Sequence, residues 1–361
     1  MERKLVFDNL VIVTQSASRL RGIDALRGIA AICVVLIHYT QGYSENIASH
    51  TERLVGFFRY GHFGVKLFFV ISGFVIFLTL ERAPNWRAFA LARFARLYPA
   101  FLACWLLTGT LIVLAGFNPF HVTASDAATN LTLLSQAIGT KWIDPSSWTL
   151  TYEVIFYAAA AILYCIFGIR RMELPCLIWL AIAWIGHRSE ADIHYPRLAV
   201  LLNFNYSYLF VAGMTIYRMV FGTGTWLTGA TLLFCTVLAC YDPQNRLPNG
   251  TIHPPYVALM VVFGVAVYLT GRNRLRWLQS RPLLFLGDIS YSLYLIHQVF
   301  GYWMIRQLER GGVNPNLAVA AAVAVSILLG FAIRTLVEIP AQRALRKVLV
   351  AAGPYRPVVP A

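Results

Sequence analysis

Ten stretches of this chain are apolar for long enough to approach or reach the thickness of a bilayer, and that pattern removes most folds from consideration. They run over residues 23–42, 62–80, 97–117, 147–168, 174–187, 198–217, 225–241, 255–271, 282–305 and 316–337. A spanning helix needs ~20 mostly apolar residues, because the hydrocarbon core is ~30 Å thick. The fifth stretch is short and the ninth carries many polar groups. All are continuous rather than alternating, which excludes a transmembrane β-barrel. Composition agrees: 58% of the 361 residues are hydrophobic and 13% are charged, against about 25% charged in water-soluble domains. The expected fold is an all-α integral membrane protein with about ten transmembrane helices.

The net charge of +14 comes from 30 Lys+Arg against 16 Asp+Glu. These basic residues sit in short segments between the apolar runs, where they act as orientation signals and contacts for lipid phosphates rather than as a nucleic-acid surface. No nucleic-acid partner is expected. With the N-terminus inside, the inner segments hold most of the arginines, so both the N-terminus and the C-terminus are expected to be cytoplasmic. An odd helix count would put Arg343–Lys347 outside and weaken that bias. The chain then divides into a cytoplasmic N-terminal segment 1–21, a single transmembrane domain 22–347 and a cytoplasmic tail 348–361. The run Leu10–Val13 is too short for the core of a signal peptide. The six cysteines lie in or beside apolar stretches with no CxxC pair, so they read as small buried residues and no metal is expected.

Ionisable groups inside spanning helices are costly, and each is a functional candidate. In the first run, GIDALRGIAAICVVLIHY, Asp24, Arg27 and His38 fall on one helical face, and His38 lies ~16 Å along the axis from Arg27 at 1.5 Å per residue. Asp24 and Arg27, at i and i+3, can pair. In the second run His62 and Lys66 are one turn apart; Lys66 is either a cavity residue or one that snorkels to the interface. The fourth opens WTLTYEVIFY and sets Glu153 two turns inside its outer boundary. His38 and Glu153 are expected at the same outer depth, where a His–carboxylate pair makes a general base or, on the bland reading, a structural ion pair. In the ninth, Ser290, Tyr294 and His297 form a stripe at i, i+4 and i+7, suited to a wet groove or to hydrogen bonding between helices. Between the second and third runs, Arg93 and Arg96 share a face at the cytoplasmic boundary and can clamp phosphates, of a ligand or of lipid.

Taken together these pieces resemble the acyltransferase family 3 membrane proteins, from about Gly22 to Lys347. In order, they are GIDALRG at 22–28 with His38, GVKLFFVISGF at 64–74, RFARLYP at 93–99, WTLTYE at 148–153 followed by Phe156–Tyr157, LGDISYSLYLIH at 286–297, and Glu338-Ile-Pro340. The single acid before Val154 departs from the double-acid form of the fourth-helix motif and looks more like the exopolysaccharide-acetylating subgroup.

The resemblance implies an O-acyltransferase that moves an acyl group, usually acetyl, from cytoplasmic acyl-CoA (acetyl-CoA) to a carbohydrate hydroxyl, in the inner membrane of a bacterium. Acyl-CoA is then a co-substrate rather than a resident cofactor. It also implies roles: Arg93 and Arg96, with Arg27 and Asp24, on the donor; His38 as base or as a transient acyl carrier, oriented by Glu153; and Lys66, Ser290, Tyr291, Tyr294 and His297 lining the channel or acceptor site. The alternatives are an acyltransferase acting on a lipid or a small secreted molecule, and a secondary transporter, although paired repeats and broken helices are not evident.

Overall fold

The computed structural model describes residues 21–48, 58–189, 191–242 and 254–351. Residues 1–20 and 352–361, most of the two end segments expected in the cytoplasm, lie outside the described residues. Each of the ten apolar runs contains a helix. These are α1 (Arg21–Asn46), α2 (Gly61–Arg82), α3 (Trp86–Ala115), α4 (Pro145–Phe167), α5 (Glu173–Arg188), α6 (Ser207–Val220), α7 (Trp226–Tyr241), α8 (Pro254–Gly271), α9 (Arg281–Arg310) and α10 (Pro315–Leu345). Among the described residues there is no strand. Seven of the helices are long and apolar enough to cross a membrane; α5, α6 and α7 are shorter, at 16, 14 and 16 residues.

The exterior is built for lipid. On α5, Leu174, Ile178, Ile182 and Ile185 form an exposed stripe, and Ile162 and Ile166 are exposed on α4. In water such contiguous apolar surface drives association; in a bilayer it needs no cover. α6 is the opposite case, with nearly all its residues buried inside the protein.

Two boundaries differ from the sequence expectation. α3 begins at Trp86, well ahead of residue 97, because the side chain of extended Asn85 accepts the Ala88 N–H at 2.9 Å and caps the helix there. The basic stretch carrying Arg93 and Arg96 is therefore the first turns of a continuous helix rather than a connector. α6 begins at Ser207 rather than 198, because Asn203 takes a left-handed conformation (φ 53°) and splits off a short helix, Pro196–Leu201.

Backbone-to-backbone approach sets the register of the inner helices. A Cβ on Gly28 would lie 2.5 Å from the Gly287 nitrogen, and one on Gly287 would lie 2.3 Å from the Asp24 carbonyl oxygen. Only glycine permits this crossing of α1 and α9, which brings Asp24 and Arg27 beside Asp288. Gly73 and Gly213 do the same for α2 and α6. Two helices also widen into single π turns, at His38–Gly42 in α1 and Arg334–Glu338 in α10. Such turns shift the side-chain register and recur at functional sites.

Candidate active site

Six helices enclose a cavity of about 290 Å³. α1 contributes Asp24 and Arg27, α2 Ser72, α3 Arg93 and Arg96, α4 Thr149, Glu153 and Tyr157, α9 Asp288, Tyr291 and Tyr294, and α10 Arg334 and Gln342. On α9 the lining positions Gly287, Tyr291 and Tyr294 cover ~10 Å of the helix axis at 1.5 Å per residue.

One end is crowded with guanidinium groups. Glu338, fully buried, accepts from Arg96, from Arg334 at 2.9 Å, from Ser292 at 3.0 Å and from Gln342 at 3.1 Å. A buried carboxylate is tolerable when its oxygens are satisfied this fully. Arg96 also lies 5.3 Å from the centroid of the Tyr291 ring, whose hydroxyl donates to the Leu97 carbonyl at 2.8 Å. Arg334 reaches Asp288 at 3.4 Å, and Arg27 meets Asp24 at 3.8 Å, the i, i+3 pair expected from the sequence. Arg93 is held differently. Its guanidinium lies over the rings of Tyr157 (5.8 Å) and Phe89 (6.0 Å), and its buried Nε has no hydrogen-bond partner among the described residues. Arg93 lines the cavity without a carboxylate partner among the described residues, unlike Arg96 and Arg334 on Glu338.

Midway, Glu153 accepts from Ser72 at 3.2 Å and from Tyr157. Beyond it Thr149 donates to the Tyr294 hydroxyl at 3.2 Å, and the Tyr294 ring packs 5.4 Å from Phe68 and 5.8 Å from His297. Tyr294 is thus the wall between the cavity and a pair of histidines.

That pair is His38 and His297. His38 Nδ1 and His297 Nε2 are 2.7 Å apart, with ring centroids separated by 5.0 Å and planes within 6°. A short N–N distance with that centroid separation describes coplanar rings meeting edge to edge. The tautomers follow from the hydrogen bonds. His297 Nδ1 lies 2.8 Å from the Tyr294 carbonyl oxygen, which can only accept. Nδ1 of His297 therefore carries the proton, its Nε2 accepts from His38 Nδ1–H, and His38 Nε2 is left with its lone pair. His297 is fully buried and His38 half-buried. The carbonyl of His297 itself accepts from Tyr39 at 2.7 Å, and Tyr39 in turn pairs with Ser326 at 2.6 Å.

The family model described as an acyltransferase domain matches residues 20–335. The chain belongs to acyltransferase family 3. Among its relatives, the exopolysaccharide production protein ExoZ of Rhizobium meliloti is 29% identical over 329 residues, 83% of this chain and 93% of that one. The acyltransferase MdmB of Streptomyces mycarofaciens is 24% identical over 95% of each chain. The O-acetyltransferase OatA of Staphylococcus aureus is 25% identical over 77% of this chain and 50% of its own length. No solved structure matches the chain.

For this acyltransferase the geometry corrects four sequence expectations. His38 pairs with His297, and no hydrogen bond joins it to Glu153 among the described residues; Glu153 faces the cavity instead. Lys66 turns away from the cavity into an ion pair with Asp242 at 2.8 Å, both side chains buried, and Tyr208 donates to the same carboxylate at 2.6 Å. Ser290 donates back to the Gly287 carbonyl at 2.8 Å, because the open face of α9 is the one through Gly287, Tyr291 and Tyr294. His297, expected to line the channel, is fully buried behind Tyr294 and does not line the cavity, because its ring nitrogens are taken up by His38 and the Tyr294 carbonyl. The remaining candidates, Asp24, Arg27, Arg93, Arg96, Tyr291 and Tyr294, all line it. Sequence reasoning did not single out Arg334, an intramembrane arginine in the tenth run, nor assign a role to Glu338. The signal for Arg334 was there, since a charge in a spanning helix needs a partner; that its partner is Glu338, shared with Arg96, is visible only in three dimensions.

Proposed function

We propose that this acyltransferase carries acetyl from cytoplasmic acetyl-CoA across its own cavity to a hydroxyl of a carbohydrate, an exopolysaccharide or other surface glycan. The observation that carries the reading is the cavity itself, with Arg93 and its neighbouring arginines at one end and, behind Tyr294, a histidine pair that leaves His38 Nε2 unprotonated. Arg93 and Arg27, with Arg96 held in place by Glu338, take the phosphates of the donor. The thin arm of the donor then passes Glu153, whose carboxylate can accept from its amide N–H groups. It reaches His38 by displacing the Tyr294 phenol, whose hydroxyl accepts a 3.2 Å hydrogen bond from Thr149 and whose ring packs on Phe68.

In the transfer, His38 Nε2 takes the proton of the acceptor hydroxyl as its oxygen forms a bond to the thioester carbonyl carbon. The C–S bond then breaks, the acetyl ester forms, and the departing CoA sulfur takes the proton back from His38. No acyl-histidine is needed. His297 fixes the tautomer that makes this possible, the part the sequence assigned to Glu153. General base help of this kind contributes about 10²–10⁴-fold.

The names of two relatives, an exopolysaccharide production protein and an O-acetyltransferase, support a glycan acceptor. The charge bias of the connecting segments supports ten crossings in the inner membrane of a bacterium, with both termini of the domain cytoplasmic and the Arg93 end facing the cytosol. The test is acetyl transfer from radiolabelled acetyl-CoA to the glycan of membrane vesicles. Wild type is expected to label the glycan and His38→Ala to label it at least ~10²-fold more slowly while still inserting in the membrane; full labelling by His38→Ala would end the proposal.

A further inference from the structure

His297 is held by more than its own helix. The Tyr294 carbonyl that accepts from His297 Nδ1 lies 3.0 Å from Ser146 Oγ, which also lies 2.6 Å from Asp144 Oδ1. The same Asp144 oxygen accepts the Ser146 N–H at 3.0 Å, and its second oxygen accepts the backbone N–H of Val299 at 3.1 Å. Asp144 and Ser146 are 2% and 1% exposed. From the other side Tyr39 holds the His297 carbonyl.

Part of this arrangement has an ordinary explanation. An Asp ahead of Pro145 is a helix N-cap, and a cap needs the Ser146 N–H bond alone. It does not need the bond from the Val299 N–H, nor the sharing of the single Ser146 hydroxyl hydrogen between Asp144 and the Tyr294 carbonyl; these contacts reach 155 and 148 residues along the chain to the turn presenting His297. We propose that Asp144 and Ser146 are positioning residues of the transfer step: they fix the Tyr294–Val299 turn so that His297 meets His38 in line, and they set a carboxylate behind the pair to offset the charge that appears when His38 takes the proton. This rests on the transfer reading given above. The physical need is clear in each half. A 2.7 Å bond between two coplanar rings is lost if either backbone drifts, and a buried imidazolium is costly without a counter-charge. Placing the carboxylate one hydroxyl and one peptide group away offsets that charge without binding the base directly.

The experiment compares wild type, His38→Ala, Ser146→Ala and Asp144→Asn in membrane vesicles with radiolabelled acetyl-CoA. Turnover is expressed per acetyl-CoA binding site, and the solvent deuterium isotope effect is read for each. Ser146→Ala is expected to lower turnover per site about tenfold, the loss of one supporting hydrogen bond, and Asp144→Asn about a hundredfold. Both should leave the KM for acetyl-CoA unchanged and raise the isotope effect, because proton transfer becomes slower. A merely structural role would lower the number of binding sites and the total rate together, with turnover per site and isotope effect as in wild type; that result overturns the proposal. If Asp144→Asn does not fold, Ser146→Ala decides alone, since it leaves the carboxylate its backbone bonds. An unlabelled glycan with wild type takes down the transfer reading and this inference with it; labelling that needs His38 but ignores Ser146 takes down only this one.

Discussion

The two ends of the active-site path use opposite chemistry. Around Glu338 the protein packs Arg96, Arg334 and, a little further out, Arg27, Arg93, Asp24 and Asp288, so nearly every polar contact there involves a full charge. Around His38 every direct contact is between neutral groups: an imidazole on an imidazole, a ring N–H on a backbone carbonyl, a phenol on a backbone carbonyl. The difference follows from what each end handles. A donor that carries several phosphate charges is best met by guanidinium groups that are already oriented, and Glu338 orients two of them. A base must give up its proton and take it back. A carboxylate in direct contact also supports a general base, but it puts a full charge against the imidazole. A neutral histidine fixes the same tautomer and leaves the nearest carboxylate of this network, Asp144, one hydroxyl and one peptide group away. The carboxylate expected on His38 from the sequence, Glu153, would have made the second end resemble the first.

This contrast can be broken at several points. The largest effect is expected from Glu338→Ala, which strips two buried guanidinium groups of their counter-charge; removing one member of such a cluster costs about 3–5 kcal/mol. The yield of monodisperse protein in detergent and its melting temperature should both fall, with Glu338→Gln between the two. Unchanged thermal stability would mean that the arginine end is not organised around Glu338. Next is Arg93. Its charge-assisted bonds to a phosphate are worth about 1.5–3 kcal/mol, so Arg93→Ala should raise the KM for acetyl-CoA by one to two powers of ten while leaving stability alone, since no ion pair holds it among the described residues. A KM equal to wild type removes it from the donor site.

At the neutral end, His297→Gln should outperform His297→Ala by roughly tenfold in turnover, because its amide oxygen can still accept from His38 Nδ1 at the cost of one altered hydrogen bond. Equal rates for the two variants would show that the pairing does not matter to the base. The smallest effect is expected at Tyr294. Tyr294→Phe removes only the bond from Thr149, worth about 0.5–1.5 kcal/mol, and should change turnover by less than ~10-fold; a total loss would give the phenol a chemical part in the reaction.

Much of this fold was legible in the sequence, since apolar run length is dictated by bilayer thickness and each of the ten runs contains a helix. The residues of the arginine end were also legible, because charges inside apolar runs stand out against lipid: Asp24, Arg27, Arg93 and Arg96 needed no structure to be noticed. Their partners were not. Arg96 and Glu338 are 242 residues apart, on α3 and α10, and no periodicity reports that pairing, just as none reports the α1–α9 crossing set by Gly28 and Gly287. The histidine pair was missed for a related reason. Helical spacing put His297 on a stripe with Ser290 and Tyr294, but Ser290 turns back onto its own helix and the π turn at His38–Gly42 alters the local register of α1. Depth alone then favoured Glu153 as the partner. Asp144 drew no sequence expectation: it caps a helix, and the long-range bond of its second oxygen has no sequence signature.

The central claim is that one path connects the arginines to His38, past Tyr294. A structure of the protein with coenzyme A bound tests it most directly, through the position of two atoms of the ligand. The account predicts phosphate oxygens on Arg93 and the sulfur beyond a displaced Tyr294, about 3–3.5 Å from the place beside His38 Nε2 where an acceptor oxygen would sit. Coenzyme A seated outside the cavity, or with its sulfur ending on the arginine side of an unmoved Tyr294, would contradict it.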